Sequence, residues 1–162
     1  MENGVSQTHF EKGVKVDLQV DGSRRSLNSR LHSAGHLLDV CMNNIGLGHF
    51  EPSKGYHFPD GPFVEYKGII PQSEQQLKRE QLEQEGIALI YKGGKVYAAT
   101  LPYDDAAQLC DNHLPDYISK DSTPRIMKFG DNPGCPCGPT HVNDISDIKS
   151  LKIRTKKGLT KV

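Results

Sequence analysis

Apolar and polar positions change period several times along this chain, and each change marks an element. Val14 to Val20 alternates apolar and polar residues, the period of a half-buried strand, and Asp21-Gly22 then turns the chain. Leu27, Leu31, Ala34, Leu38, Cys41 and Ile45 follow in steps of four and three, which at about 100° per residue makes one narrow apolar stripe on a helix. Gly46 to Gly55 reads as a loop carrying His49, Phe50 and Ser53. Tyr56 to Ile70 predicts a hairpin, with Tyr56-His57-Phe58 and Phe63 to Tyr66 flanking the turn Pro59-Asp60-Gly61-Pro62.

A second helix is predicted after Pro71, opened by a Ser73 and Gln76 capping box and continued through Leu77 and Leu82 to a stop at Gly86. Ile87 to Tyr91 and Lys95 to Thr100 then flank Lys92-Gly93-Gly94 as two strands. Pro102 to Leu109 is a short helix, and Arg125 to Phe129 and Leu151 to Thr155 are strands. This order predicts an α+β fold: one domain over residues 1–162, with a mainly antiparallel sheet packed against two longer helices and one short helix, and no repeat or linker dividing it.

Composition narrows the class. The 162 residues are 35% hydrophobic and 25% charged, ordinary for one domain with a sizeable core. No apolar run reaches about 18 residues and Met1 to Gln7 is polar, which argues against a membrane span or a signal peptide. Four cysteines, two of them close together in one loop, favour a reducing compartment, hence the cytoplasm. The 20 basic and 20 acidic residues balance, so no overall signature for DNA is present and RNA contact needs a local patch. Lys149, Lys152, Arg154, Lys156 and Lys157 form such a patch. It is suited to phosphates and equally to defending a solvated strand edge.

Two motifs carry the chemistry. His32 and His36 stand one helical turn apart, on the side away from the leucine stripe, so both imidazoles can face one ion in a cleft. Cys137 and His141 repeat the spacing within Asp131 to Val142, a stretch whose glycines and prolines exclude a regular helix or central strand and so shape a loop. Together they supply four zinc-type ligands. Cys135 remains an alternative to Cys137, and the two lie too close in sequence for an unstrained disulfide. Cys41 and Cys110 read as small core residues.

His32-Ser33-Ala34-Gly35-His36-Leu37-Leu38 together with Cys137-Gly138-Pro139-Thr140-His141-Val142 resembles the HxxxH and CGGTHV signatures of the alanyl-tRNA synthetase editing domain and its free-standing AlaX relatives. Leu101-Pro102 before Asp105-Ala106, and Pro124-Arg125-Ile126-Met127, are similar to the family's intervening segments. Pro139 stands where the signature has glycine. The resemblance spans roughly residues 12–161. It implies either the compact type, without the glycine-rich barrel that precedes the editing core of longer members, or a piece of a longer protein.

The resemblance implies zinc held by His32, His36, Cys137 and His141, with His32 and His36 the catalytic pair. The implied reaction is hydrolysis of the ester that joins a wrong amino acid, chiefly serine and sometimes glycine, to the acceptor end of tRNA(Ala). Zinc then either activates water or only orients the substrate, since four protein ligands normally close a site. A hydroxyl-reading group is needed for serine, and Ser53, Ser33 and His57 are the candidates. The competing readings are a metal-free editing domain and a noncatalytic, zinc-stabilised module that binds RNA or a synthetase.

Overall fold

The computed structural model describes residues 11–155, and these carry three helices, two small antiparallel sheets and one 3₁₀ turn. Helix α1 spans Gly22–Asn44 and begins where the Asp21 side chain accepts the Arg24 amide at 3.0 Å, satisfying a donor that the first turn leaves free. Its buried positions are not the expected stripe. Ser29, Ser33, Leu37 and Cys41, in steps of four, are buried along with Gly35 and Met42, whereas Leu27 is 37% exposed. Ala34, Leu38 and Ile45 pack against the core only partly buried. The serines go inside because each finds a hydrogen-bond partner there, which removes the cost of burying a hydroxyl.

The hairpin forms, with its first strand earlier than expected. β1 (Glu51–Tyr56) pairs antiparallel with β2 (Phe63–Lys67), Tyr56 opposite Phe63, so His57 and Phe58 belong to the turn and half of the expected loop is strand.

Helix α2 (Gln72–Lys92) runs straight through Gly86, and the strand expected at Ile87 to Tyr91 is its last turn and a half. Gly86 stops nothing because it is a packing notch: a Cβ there would stand 2.5 Å from the Leu151 side chain. Leu82, Gly86 and Ile90 are buried in steps of four, the helical period. Gly93, with φ 70°, ends the helix. The Ser73 and Gln76 box does not form, since Pro71 is the N-cap and its carbonyl accepts the amides of Glu74 and Gln75 at 2.8 and 3.2 Å.

The second sheet has the order β3 (Val96–Thr100), β4 (Arg125–Phe129), β5 (Cys135–Pro136), all antiparallel, with α3 (Tyr103–Leu109) following β3. Central β4 is buried on both faces. Met127 and Phe129 join Leu37, Cys41, Leu82, Ile90 and Ile145 in the main core, while Ile126 packs with Ala106, Cys110 and Leu114 beneath α3. Each buried Leu, Ile, Met or Phe among them contributes roughly 1.5–3 kcal/mol by leaving water.

Two expected strands are not strands. Val14, Val16, Leu18 and Val20 are all exposed and belong to no strand ladder among the described residues, so the alternation has no sheet to join. Leu151 to Thr155 runs along α2 instead, where the Ile153 amide donates to Glu83 at 2.9 Å. Among the described residues no helix is long and apolar enough to cross a membrane.

Candidate metal centre

α1 supplies His32 and His36, and the chain after β5 brings Cys137 and His141 to them. That loop is held from both sides. On the sheet side, the Arg125 carbonyl accepts the Cys137 amide at 3.0 Å, and its guanidinium Nη1 donates to the carbonyls of Cys137 at 2.6 Å and Pro139 at 3.2 Å. On the helix side, the Ser29 hydroxyl donates to the Thr140 hydroxyl at 3.0 Å and Ser33 accepts the Val142 amide, also at 3.0 Å.

The four ligand atoms lie within 4.8 Å of one another. Cys137 Sγ is 3.3 Å from His36 Nε2 and 3.4 Å from His32 Nε2. Zinc-type bond lengths in a tetrahedron place nitrogen and sulfur about 3.5 Å apart, so these spacings fit a shared ion. Both ring nitrogens of His141 are buried without a hydrogen-bond partner among the described residues, a cost that coordination would remove. His32 Nδ1 lies 3.3 Å from the Thr140 carbonyl, which places its proton there and leaves Nε2 free to ligate. Cys135 sits behind the cluster, its Sγ 3.5 Å from His36 Nδ1, so Cys137 is the sulfur at the centre.

Burial, reinforced by the neighbouring rings of His32, His141 and His57, pushes the pKa of His36 down to about 3. Burial and His32, with a contribution from Arg125, bring His141 to about 4. His32 is lowered too, mainly by burial. All three are therefore neutral near pH 7, the form that binds a metal. Burial raises the Cys137 thiol, while Arg125 and the Gly138 amide pull the other way.

Beside the cluster, a cavity of about 220 Å³ opens between α1 and the hairpin, sharing His36 and bordered by Asp39, Ser53, His57 and Val64. The His57 ring lies 4.9 Å from that of His32, and a Cβ added at Gly35 would run into it, so the glycine between His32 and His36 is a slot for the His57 imidazole. Ser53 borders the cavity with its hydroxyl donating to the Glu65 carbonyl at 3.3 Å. Ser33 is fully buried and engaged by Val142, which places it behind the site, holding the loop. Lys149, Lys152 and Arg154 are exposed, whereas Lys156 and Lys157 lie outside the described residues.

No family model matches the chain. Individual proteins do. An alanine–tRNA ligase of Stenotrophomonas maltophilia is 28% identical over 94% of this chain and 18% of its own length. Those of Idiomarina loihiensis and Halorhodospira halophila are 28% and 29% identical over 97% and 91% of this chain. Nearly all of this chain is similar to one segment of alanine–tRNA ligases. It spans about a sixth of the length of those relatives.

Within this alanine–tRNA ligase-like segment, three contributors are not evident as site residues from spacing alone. Arg125 shows only as a charge opening an apolar strand, yet it clamps two loop carbonyls. Asp39 accepts the Tyr66 hydroxyl at 2.6 Å and lies 3.9 Å from His36 Nδ1, and Tyr66 comes from the hairpin. The sequence signal for Asp39 is its place on the histidine side of α1, one turn beyond His36. Burial raises the Asp39 pKa, and the Tyr66 hydrogen bond opposes that shift.

Proposed function

We propose that this chain is a zinc-dependent hydrolase, one aminoacyl-tRNA editing domain that acts in the cytoplasm. It would deacylate mischarged tRNA(Ala), chiefly Ser-tRNA(Ala) and also Gly-tRNA(Ala). The observation that carries the reading is the convergence of His32, His36, Cys137 and His141 beside a small cavity, in a chain similar to a segment of alanine–tRNA ligases. Zinc held by these four side chains would supply a Lewis acid next to the ester, which is already an activated acyl group.

The rest of the chemistry belongs to the chain. The cavity takes the aminoacyl group and holds it against His36, converting attack by water into a positioned reaction. Ser53 offers the serine side chain a hydroxyl partner that glycine cannot use, and His57 closes the same wall. Lys149, Lys152 and Arg154, with Lys156 and Lys157, meet the phosphates of the acceptor end, recognising shape more than sequence.

The test is deacylation of Ser-tRNA(Ala), Gly-tRNA(Ala) and Ala-tRNA(Ala) in parallel, with zinc measured on the same sample. Release of serine without release of alanine, lost in a folded His36→Ala variant, is the expected result. The closed set of four protein ligands favours a second reading, a structural zinc. Under that reading no ester is cleaved and His36→Ala unfolds the domain.

A further inference from the structure

Among the described residues Asp39 is the only acidic side chain bordering the cavity beside His36, and its carboxylate is half engaged. Oδ1 accepts the Tyr66 hydroxyl at 2.6 Å. Oδ2 has no hydrogen bond among the described residues, and its nearest basic neighbour, His36 Nδ1, stands 3.9 Å away, too far to donate. The other charged residue of the lining, Lys54, has its Nζ 5.9 Å above the Phe63 ring. The carboxylate is thus partly desolvated, 37% exposed, locked in orientation by a tyrosine from the hairpin, and without a cation. A partly buried charge of this kind is costly until something positive meets it.

A cavity of about 220 Å³ admits only a small group. Among the described residues no lysine or arginine is paired with this carboxylate, which leaves Oδ2 open to a small cationic group of the ligand. We infer that Asp39 receives the α-ammonium of the aminoacyl group, making it a specificity-determining residue that separates aminoacyl esters from simple acyl esters, with Tyr66 positioning it. This rests on the hydrolase reading above and assigns its substrate recognition. The ammonium docks on Oδ2 while Ser53, across the same cavity, faces the side chain of the amino acid. A charge-assisted hydrogen bond of this type corresponds to roughly a ten- to hundredfold change in affinity.

The test uses the hydrolysis-resistant amide of serine with aminodeoxyadenosine, and its counterpart made from hydroxypropanoic acid, which lacks only the amine. Calorimetry on the zinc-loaded protein is expected to show the amine-bearing compound bound roughly ten- to hundredfold more tightly. Asp39→Asn removes that preference by weakening the amine compound alone, Asp39→Glu restores part of it, and Tyr66→Phe reduces it. Should Asp39→Asn fail to fold, Tyr66→Phe carries the same comparison. Equal affinities in the wild type overturn the inference. So does an Asp39→Asn variant that weakens both compounds alike or changes only zinc affinity against a chelator, because Asp39 then acts through His36. A wild type that cleaves Ser-tRNA(Ala) but ignores the amine sinks the inference alone. One that binds neither compound and cleaves nothing sinks the hydrolase reading with it.

Discussion

Ser33 accepts the Val142 amide at 3.0 Å, and each residue adjoins a candidate ligand: Ser33 lies between His32 and His36, and Val142 follows His141. One buried hydrogen bond therefore joins both halves of the metal cluster. Ser33→Ala leaves the Val142 N–H buried without a partner, at a cost of about 1–3 kcal/mol. Urea unfolding of Ser33→Ala is expected to show that loss, and a chelator competition to show weaker metal binding. A variant as stable as the wild type would mean that the loop is held elsewhere.

Gly35 should not accept a methyl group even though alanine favours a helix, because the His57 ring occupies the space. Gly35→Ala is expected to lose about 1–3 kcal/mol from overpacking, and Gly35→Ala with His57→Ala to recover most of it. A double-mutant cycle in thermal unfolding measures the coupling. Additive losses would show that the ring moves aside freely.

Arg125 spans the carbonyls of Cys137 and Pro139 with a single guanidinium nitrogen, a reach that a lysine ammonium does not reproduce with the same orientation. Arg125→Met is expected to weaken metal affinity about 10–100-fold, as for other supports of ligand groups, with Arg125→Lys in between. Competition with a chromophoric chelator reads both. Unchanged affinity would reduce Arg125 to a surface contact.

Acid should destabilise the metal-free protein through its imidazoles. His36 and His141 titrate near 3 and 4 in the fold, against an ordinary 6.5, so the unfolded chain binds more protons as pH falls below that value. Their contribution is complete above pH 6.5 and is lost as pH falls towards 4 and then 3. The urea midpoint is expected to drop across this window, and to drop less in His141→Gln. A flat profile would contradict neutral burial of these rings.

Much of the site could be read from local spacing, because one helical turn is a local repeat. His32 and His36 follow from it, and the Asp21 cap sets where their helix begins. The glycine and proline of the cysteine loop likewise announce irregular backbone wherever it lies. Ile87 to Tyr91 misleads for a local reason as well. A short apolar run suits strand or helix equally, and here it continues α2, with Leu151 packed against the Gly86 notch. Val14 to Val20 alternates as a strand does, but alternation gives no partner, and the structure provides none among the described residues.

The sequence by itself determined which side chains are able to ligate and how each pair is spaced, since both depend on bonds and turns within five residues. Only the tertiary structure decided that the pairs meet, that Ser29 and Ser33 go inside, and that Asp39 faces a cavity. The first two outcomes require β5 to pair with β4 and Arg125 to clamp the returning loop, about a hundred residues from α1, and the third requires the hairpin to close over the helix. A polar residue is buried or exposed according to whether such a distant partner arrives, and no local period records that arrival.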